Sequence, residues 1–275
     1  MTLLTPPAAG RPALGGPFAR RYGPWAVITG ASSGIGREIA REAAQAGLHV
    51  VLVARQGPVL NGIAHALAAR LGVQVRVIAA DLSTQDGIDA VLADTDGLDV
   101  GLLVASAGFG TSGEFLAASW PEESAMLDVN CRAVTALSLE YGRRMQAQGR
   151  PGGIVLLSSL AGRQGTPHAA HYAATKAYVH VLAEGLHREL KPARIDVVAV
   201  APGPVRTGFE ARAGLRMSPA IPAGAVARPS LRGLGRRAIV TPAPLSKFLT
   251  WSLFLLPRSM RVRMMGMIMK GWTAG

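Results

Sequence analysis

The sequence predicts an α/β protein organised around a doubly wound parallel sheet with helices on both faces. Six short runs rich in Val, Ile and Leu, at residues 25–28, 49–54, 73–80, 101–104, 153–158 and 195–200, alternate with segments of helical spacing. Most of these runs are apolar throughout, as strands covered on two faces are. Small residues or prolines stand where the runs end, the place where such sheets bind ligands. With 275 residues and 49% hydrophobic composition, one large core can be enclosed, so a single domain is expected.

The first run leads into Thr29-Gly30-Ala31-Ser32-Ser33-Gly34-Ile35-Gly36 and a helical pattern over residues 37–47. Strand, glycine turn and helix in this order suit a dinucleotide, which makes the expected architecture a Rossmann fold. Gly30 permits the tight turn, Gly34 lets backbone approach a pyrophosphate, and Gly36 lets helix and strand pack. Ser32, Ser33 and Ile35 complete the turn, and the helix N-terminus offers its amides to phosphate. After the second run, an acid would normally bind the adenosine ribose of NAD. Ala54 and Arg55 stand there instead, and a guanidinium suits a 2′-phosphate, so NADP(H) is the expected cofactor.

Residues 58–71 have helical spacing, and Asp81-Leu82 closes the third run where a side chain could meet adenine. Ser83 with Asp86 resembles a helix start, running to about residue 93. The fourth run ends in Ala105-Ser106-Ala107-Gly108, and the small Ala107 and Gly108 would let a flat cofactor lie close. A long helix is expected over residues 122–148, with Asn130 inside it. The fifth run leads to Ser159, a helix reaches to about residue 190, and the sixth run ends at Pro202-Gly203-Pro204.

Tyr172 and Lys176 are four residues apart in an Ala-rich segment, so a helix places both on one face. Ser159, at a strand end, would meet them at one site. A phenol beside a fixed ammonium is drawn from about 10 toward the operating range. Tyr172 could then exchange a proton with a carbonyl or alcohol oxygen, Lys176 supplying the field and Ser159 holding the oxygen.

These residues resemble the short-chain dehydrogenase/reductase family, in its compact single-domain branch, over about residues 23–207. The resemblance rests on the T-G-A-S-S-G-I-G turn at 29–36, Asp81-Leu82, Asn130, Ser159, Tyr172-x-x-x-Lys176 and Pro202-Gly203-Pro204-Val205-Arg206-Thr207. It implies Tyr172 as proton donor and acceptor, and Ser159 as the holder of the substrate oxygen. Lys176 would bind the nicotinamide ribose and lower the tyrosine pKa, while Asn130 anchors a water on the proton path. Thr207 and the Val205 backbone would meet the nicotinamide carboxamide, next to Pro202 and Gly203. Two departures stand out. Ala105-Ser106 replaces the family's usual Asn-Asn, with Ser106 expected to recover one hydrogen bond, and Pro219, Pro222 and Pro229 interrupt the substrate lid. Tyr22-Gly23-Pro24-Trp25 and residues 99–104 look most like bacterial relatives of hydroxysteroid and ketoacyl reductases, which implies an apolar carbonyl substrate.

The charge of +12 is uneven: residues 203–275 carry twelve Arg or Lys against one acid, Glu210. Such asymmetry points to nucleic acid or an anionic membrane surface. No zinc-ligand spacing or aromatic RNA-binding signature accompanies it, so nucleic acid is not expected, nor is a metal. Residues 245–256 are apolar but shorter than the about 20 residues a span requires. Residues 260–272 mix five methionines with Arg261, Arg263 and Lys270, and the basic residues do not gather cleanly on one face of a helical wheel. This segment has three readings: a wall of the substrate pocket, a subunit interface, or peripheral contact with anionic lipid.

The expected division is a flexible tail over residues 1–22, a catalytic domain over 23–240 with a substrate loop at about 204–235, and a hydrophobic basic extension over 241–275. The lone Cys131 excludes an internal disulfide and, with no apolar core of signal-peptide length in residues 1–16, suggests the cytoplasm. The family analogy implies a homo-oligomer, a dimer or tetramer. The function expected is an NADP(H)-dependent oxidoreductase acting on a hydrophobic carbonyl or secondary alcohol. A dinucleotide sensor or membrane-associated binding protein is the alternative from another class, and dehydration or epimerisation on the same scaffold is a third.

Overall fold

The computed structural model describes residues 15–243, 247 and 255–273. Seven strands form one parallel sheet in the order β3-β2-β1-β4-β5-β6-β9. They are β1 (Trp25–Thr29), β2 (His49–Ala54), β3 (Val75–Ala79), β4 (Val100–Ala105), β5 (Gly152–Leu157), β6 (Ile195–Val200) and β9 (Ile239–Val240). The six expected runs are all strands. The seventh, β9, is two residues long and takes its place from pairing with Ala199 and Val200, a contact no local pattern announces. A short separate pair joins β7 (Val205–Arg206) to β8 (Ile221–Pro222).

Successive strand residues point to opposite faces and build two cores. Ile28, Leu52, Val104, Val155 and Val198 face one side, covered by α2 (Gly34–Gln45), α3 (Gly57–Leu71) and α9 (Gly224–Gly233). Val27, Val53, Leu103, Ile154 and Val197 face the other, covered by α4 (Gln85–Asp94), α6 (Ala133–Ala147) and α7 (Ala170–Glu189). Strand order reverses between β1 and its neighbours β2 and β4, and the crevice at that switch point opens above the carboxyl ends of the strands.

Several elements differ from expectation. Residues 15–22, expected as tail, form α1 (Gly15–Tyr22), which lies under the sheet. Gly101 and Gly153 make room for it: a Cβ on Gly101 would stand 2.6 Å from the Tyr22 and Gly23 carbonyls, and one on Gly153 would stand 3.0 Å from the Tyr22 ring. The Tyr22 hydroxyl and the Arg21 guanidinium both donate to Asp196, each at 2.7 Å. Helix α4 is capped by Thr84, whose hydroxyl accepts from the Gly87 amide, and not by Ser83, which is bonded to Asp81 instead. The long helix expected over 122–148 is α5 (Trp120–Leu127), a π-helical turn (Asp128–Arg132) and α6 in succession, with Asn130 in the π turn. In the substrate loop, α8 (Phe209–Ala213) precedes Pro219 and Pro222, while Pro229 sits inside α9. The C-terminal α10 (Arg258–Thr273) folds back over the crevice. Most of the apolar segment 245–256 lies outside the described residues, as do residues 1–14.

Candidate active site

One cleft of about 950 Å³ runs across the carboxyl ends of the strands. Gly30, Ser32, Ser33, Gly34, Ile35, Gly36, Arg55, Asp81, Leu82, Ala107 and Gly108 line its dinucleotide half. Ser159, Tyr172, Lys176, Pro202, Gly203, Val205 and Thr207 line the rest. Asn130 lies just behind the surface, fully buried. Residues scattered over most of the chain are thus brought together.

The glycine turn is tight in the way its sequence suggests. Gly30 has φ +67°, and a Cβ there would sit 2.8 Å from the Ala107 amide; one on Gly36 would meet the Gly30 carbonyl at 2.4 Å. Ser33 caps α2 through its backbone geometry without a side-chain hydrogen bond, and the first turn carries no acidic residue. The helix therefore begins with amides open to the cleft, a donor set that fits a phosphate. Arg55 stands 4.0 Å from Asp81, both exposed. The Ser83 amide and hydroxyl donate to Asp81 at 3.0 and 2.8 Å, and the backbone bond foremost holds that carboxyl below the usual range.

At the other side of the turn, Thr29 does the work expected of Ser106. Its hydroxyl accepts from the amides of both Ser106 and Ala107, at 3.0 and 2.9 Å, fastening the end of β4 to β1. A single hydroxyl oxygen has lone pairs enough for both donors. The Asn130 amide nitrogen donates to the Phe109 carbonyl at 2.9 Å and to the Thr175 hydroxyl at 3.0 Å, while its oxygen accepts from the Phe109 amide at 3.2 Å. Both N–H donors are committed and the oxygen accepts one bond, so the side chain binds the loop after β4 to α7. Gly108 fits between: a Cβ there would stand 2.8 Å from the Asn130 oxygen and 3.2 Å from the Lys176 ammonium.

Helix α7 brings Tyr172 and Lys176 to one face. The Lys176 ammonium donates to the Leu157 carbonyl at 2.9 Å and lies 5.9 Å from the centre of the Tyr172 ring. Burial pushes Lys176 down to about 8, opposed in part by Cys131. Burial pushes the Tyr172 phenol up to about 12, opposed by its hydrogen bond with the Ser159 hydroxyl. The downward pull expected on Tyr172 is not what this arrangement produces. The ammonium is bonded to the Leu157 carbonyl, and at the phenol desolvation outweighs the Ser159 hydrogen bond. The phenol consequently keeps its proton at neutral pH and is an acid.

The substrate half is apolar. Phe109, Phe209, Leu215 and Met217 meet Met265, Ile268, Met269 and Trp272 of α10 around Tyr172, and the Phe209 and Tyr172 rings lie 5.3 Å apart. The inner face of α10 is therefore a wall of this cleft. On its outer face Met260, Arg263 and Lys270 are exposed, so two cations do share a side, while Met267 is both exposed and part of the cleft lining. The sequence pointed to the lid but not to Phe109, Phe209 or Arg212, whose guanidinium lies 3.9 Å over the Phe109 ring. Only the position of the loops in space reveals them.

A family model described as short chain dehydrogenase matches residues 24–217. The chain belongs to the short chain dehydrogenase family. Among curated relatives of this oxidoreductase family, a 7beta-hydroxysteroid dehydrogenase of Clostridium sardiniense is 31% identical over 186 residues, 68% of this chain and 71% of that protein. A very-long-chain 3-oxoacyl-CoA reductase of Anas platyrhynchos is 35% identical over 208 residues, covering 72% of this chain and 64% of that one. A solved 7beta-hydroxysteroid dehydrogenase structure superposes with TM-score 0.83 at 26% identity, covering 90% of this chain and 98% of the other. A short-chain dehydrogenase from Sphingobium yanoikuyae in complex with NADPH does so with TM-score 0.75 at 30% identity, covering 86% and 97%. The short chain dehydrogenase match spans β1 to the lid, and α10 lies beyond it.

Proposed function

We propose that this protein is an NADP(H)-dependent oxidoreductase that interconverts a bulky apolar ketone and its secondary alcohol. The observation that carries the reading is the convergence of Ser159, Tyr172 and Lys176 in the cleft that also holds the open glycine turn, under an apolar roof. The site fits a dinucleotide: the α2 amides and Arg55 would hold phosphates, Asp81 and Leu82 adenine, Lys176 the ribose, and Thr207 with Val205 the carboxamide. When bound, the nicotinamide supplies or accepts the hydride. The chain's own residues do the rest. Ser159 and Tyr172 donate to the carbonyl oxygen, orienting the substrate carbon and stabilising charge that develops on the oxygen. Tyr172 then gives up its phenolic proton to that oxygen, and Lys176 stabilises the phenolate it leaves. Asn130 holds the loop and helix in register, and any water it binds is held through its main chain.

The cofactor preference is supported by Arg55 and by the NADPH-bound relative; the substrate class is supported by the roof and by relatives acting on steroids and long acyl chains. Oxidation of NADPH by purified protein across a panel of hydrophobic ketones tests the reading. Tyr172→Phe should lower turnover by ~10²–10⁴-fold and leave NADPH affinity within about twofold. NADPH binding with no turnover on any carbonyl would favour the sensor instead. Exposed Leu139, Tyr178 and Val181 on α6 and α7 support a homo-oligomer, and the outer face of α10 supports peripheral contact with anionic lipid. Among the described residues no helix is long and apolar enough to cross a membrane.

A further inference from the structure

The cleft contains a cation that the mechanism above leaves idle. Arg212, on α8, lines the same cleft as the glycine turn and Arg55, and its guanidinium covers the Phe109 ring at 3.9 Å. Among the described residues this guanidinium has no hydrogen-bond or ion-pair partner. Three charged groups act on it through space: Arg55 after β2, Asp81 after β3, and Glu122 in the first turn of α5. Asp81 is already engaged by Ser83 and lies 4.0 Å from Arg55, and Glu122 is exposed. Burial first, then the like charge of Arg55, pushes the Arg212 guanidinium down from its ordinary range. Two guanidiniums thus share one cleft with more positive charge than its carboxylates balance, one standing on the sheet and the other on the lid.

The position of Arg212 is fixed by its surroundings. The Ser112 hydroxyl donates to the carbonyl of Ala213, the next residue, at 2.5 Å. Phe209, one turn earlier, packs against Tyr172 and leaves no room for a Cβ on Gly110, which would stand 2.8 Å from its ring. The contact with the Phe109 ring uses the face of the cation and consumes none of its N–H donors, which stay available to an oxyanion.

We propose that Arg212 is the lid's phosphate contact, gripping the bound dinucleotide from the roof while Arg55 holds it from the sheet. The inference rests on the dinucleotide reading of the cleft. The ligand chemistry is a phosphate oxyanion, carried either by the 2′-phosphate or by the diphosphate.

Calorimetric titration of the full chain with NADPH and with NADH tests this without relying on turnover. Arg212→Leu, which keeps an apolar contact with Phe109, should weaken NADPH binding about 10-fold or more at low salt and reduce its salt dependence. Arg212→Lys should recover part of the loss. Equal weakening of NADH supports the diphosphate as the source, and unchanged NADH binding supports the 2′-phosphate. Arg212→Gln serves if the leucine variant does not fold, with the same loss expected. Wild-type affinity for both dinucleotides in a folded Leu or Gln variant overturns the proposal while leaving the functional reading intact. Absence of dinucleotide binding by the unaltered protein overturns both.

Discussion

Tyr172 and Lys176 are shifted in opposite directions by one cause, their burial, and the outcome suits reduction. A phenol near 12 is a reservoir of protons at neutral pH, whereas an ammonium near 8 is charged at pH 7 and loses its charge soon above it. Ketone reduction should therefore decline as pH rises through about 8, when Lys176 no longer supports the phenolate. A pH profile of kcat/KM checks this, and a rate that stays level to pH ~10 would remove Lys176 from the step. The same shift affects stability with a definite sign. Because the folded value lies below the ordinary 10.5, the charged lysine opposes folding at neutral pH, and the opposition fades between about 8 and 10.5. The spacing of Tyr172 and Lys176 was legible in the sequence because four residues are one helical turn. Ser159 was legible because it follows an apolar strand. Thr29 and Arg212 were not: they act on residues 77 and about 100 positions away, and no local period encodes such pairs.

At the scale of elements, the long buried strands and helices were readable and the short ones were not. The runs at β1, β2, β4, β5 and β6 are saturated with β-branched and leucine side chains, so local preference and burial agree. Strand β9 and the π turn have no such signature. The first exists through one partner strand, and the second by inserting Asn130 between loop and helix. Helix α10 forms one wall of the cleft, so under the proposed function it is where selectivity is tested. Met265→Ser with Ile268→Ser should lower kcat/KM for bulky ketones about 10-fold or more and change that for small ketones less than about threefold. Equal effects on both would exclude α10 as the wall.

For the whole molecule, α1 matters more than its composition suggests. Its Pro- and Gly-rich surroundings carry no helical pattern, yet Phe18 and Tyr22 are buried against strands whose glycines admit them. The helix is held by tertiary contacts, which no local pattern in the sequence announces. Tyr22→Phe removes a donor to a carboxylate and should cost about 1.5 kcal/mol, read as a lower urea midpoint with an unchanged slope. An unchanged midpoint would show that Arg21 alone secures Asp196. The knot at Asn130 has a larger consequence. The roof rests on residues 109–112 through Arg212, Phe209 and Ser112, and the floor is the helix of Tyr172. Asn130 ties Phe109 to Thr175, so the support of the roof and the footing of the acid meet in one carboxamide. Under the proposed mechanism, a change in the lid would reach the footing of Tyr172 through this one side chain, so substrate entry and proton delivery would share a support.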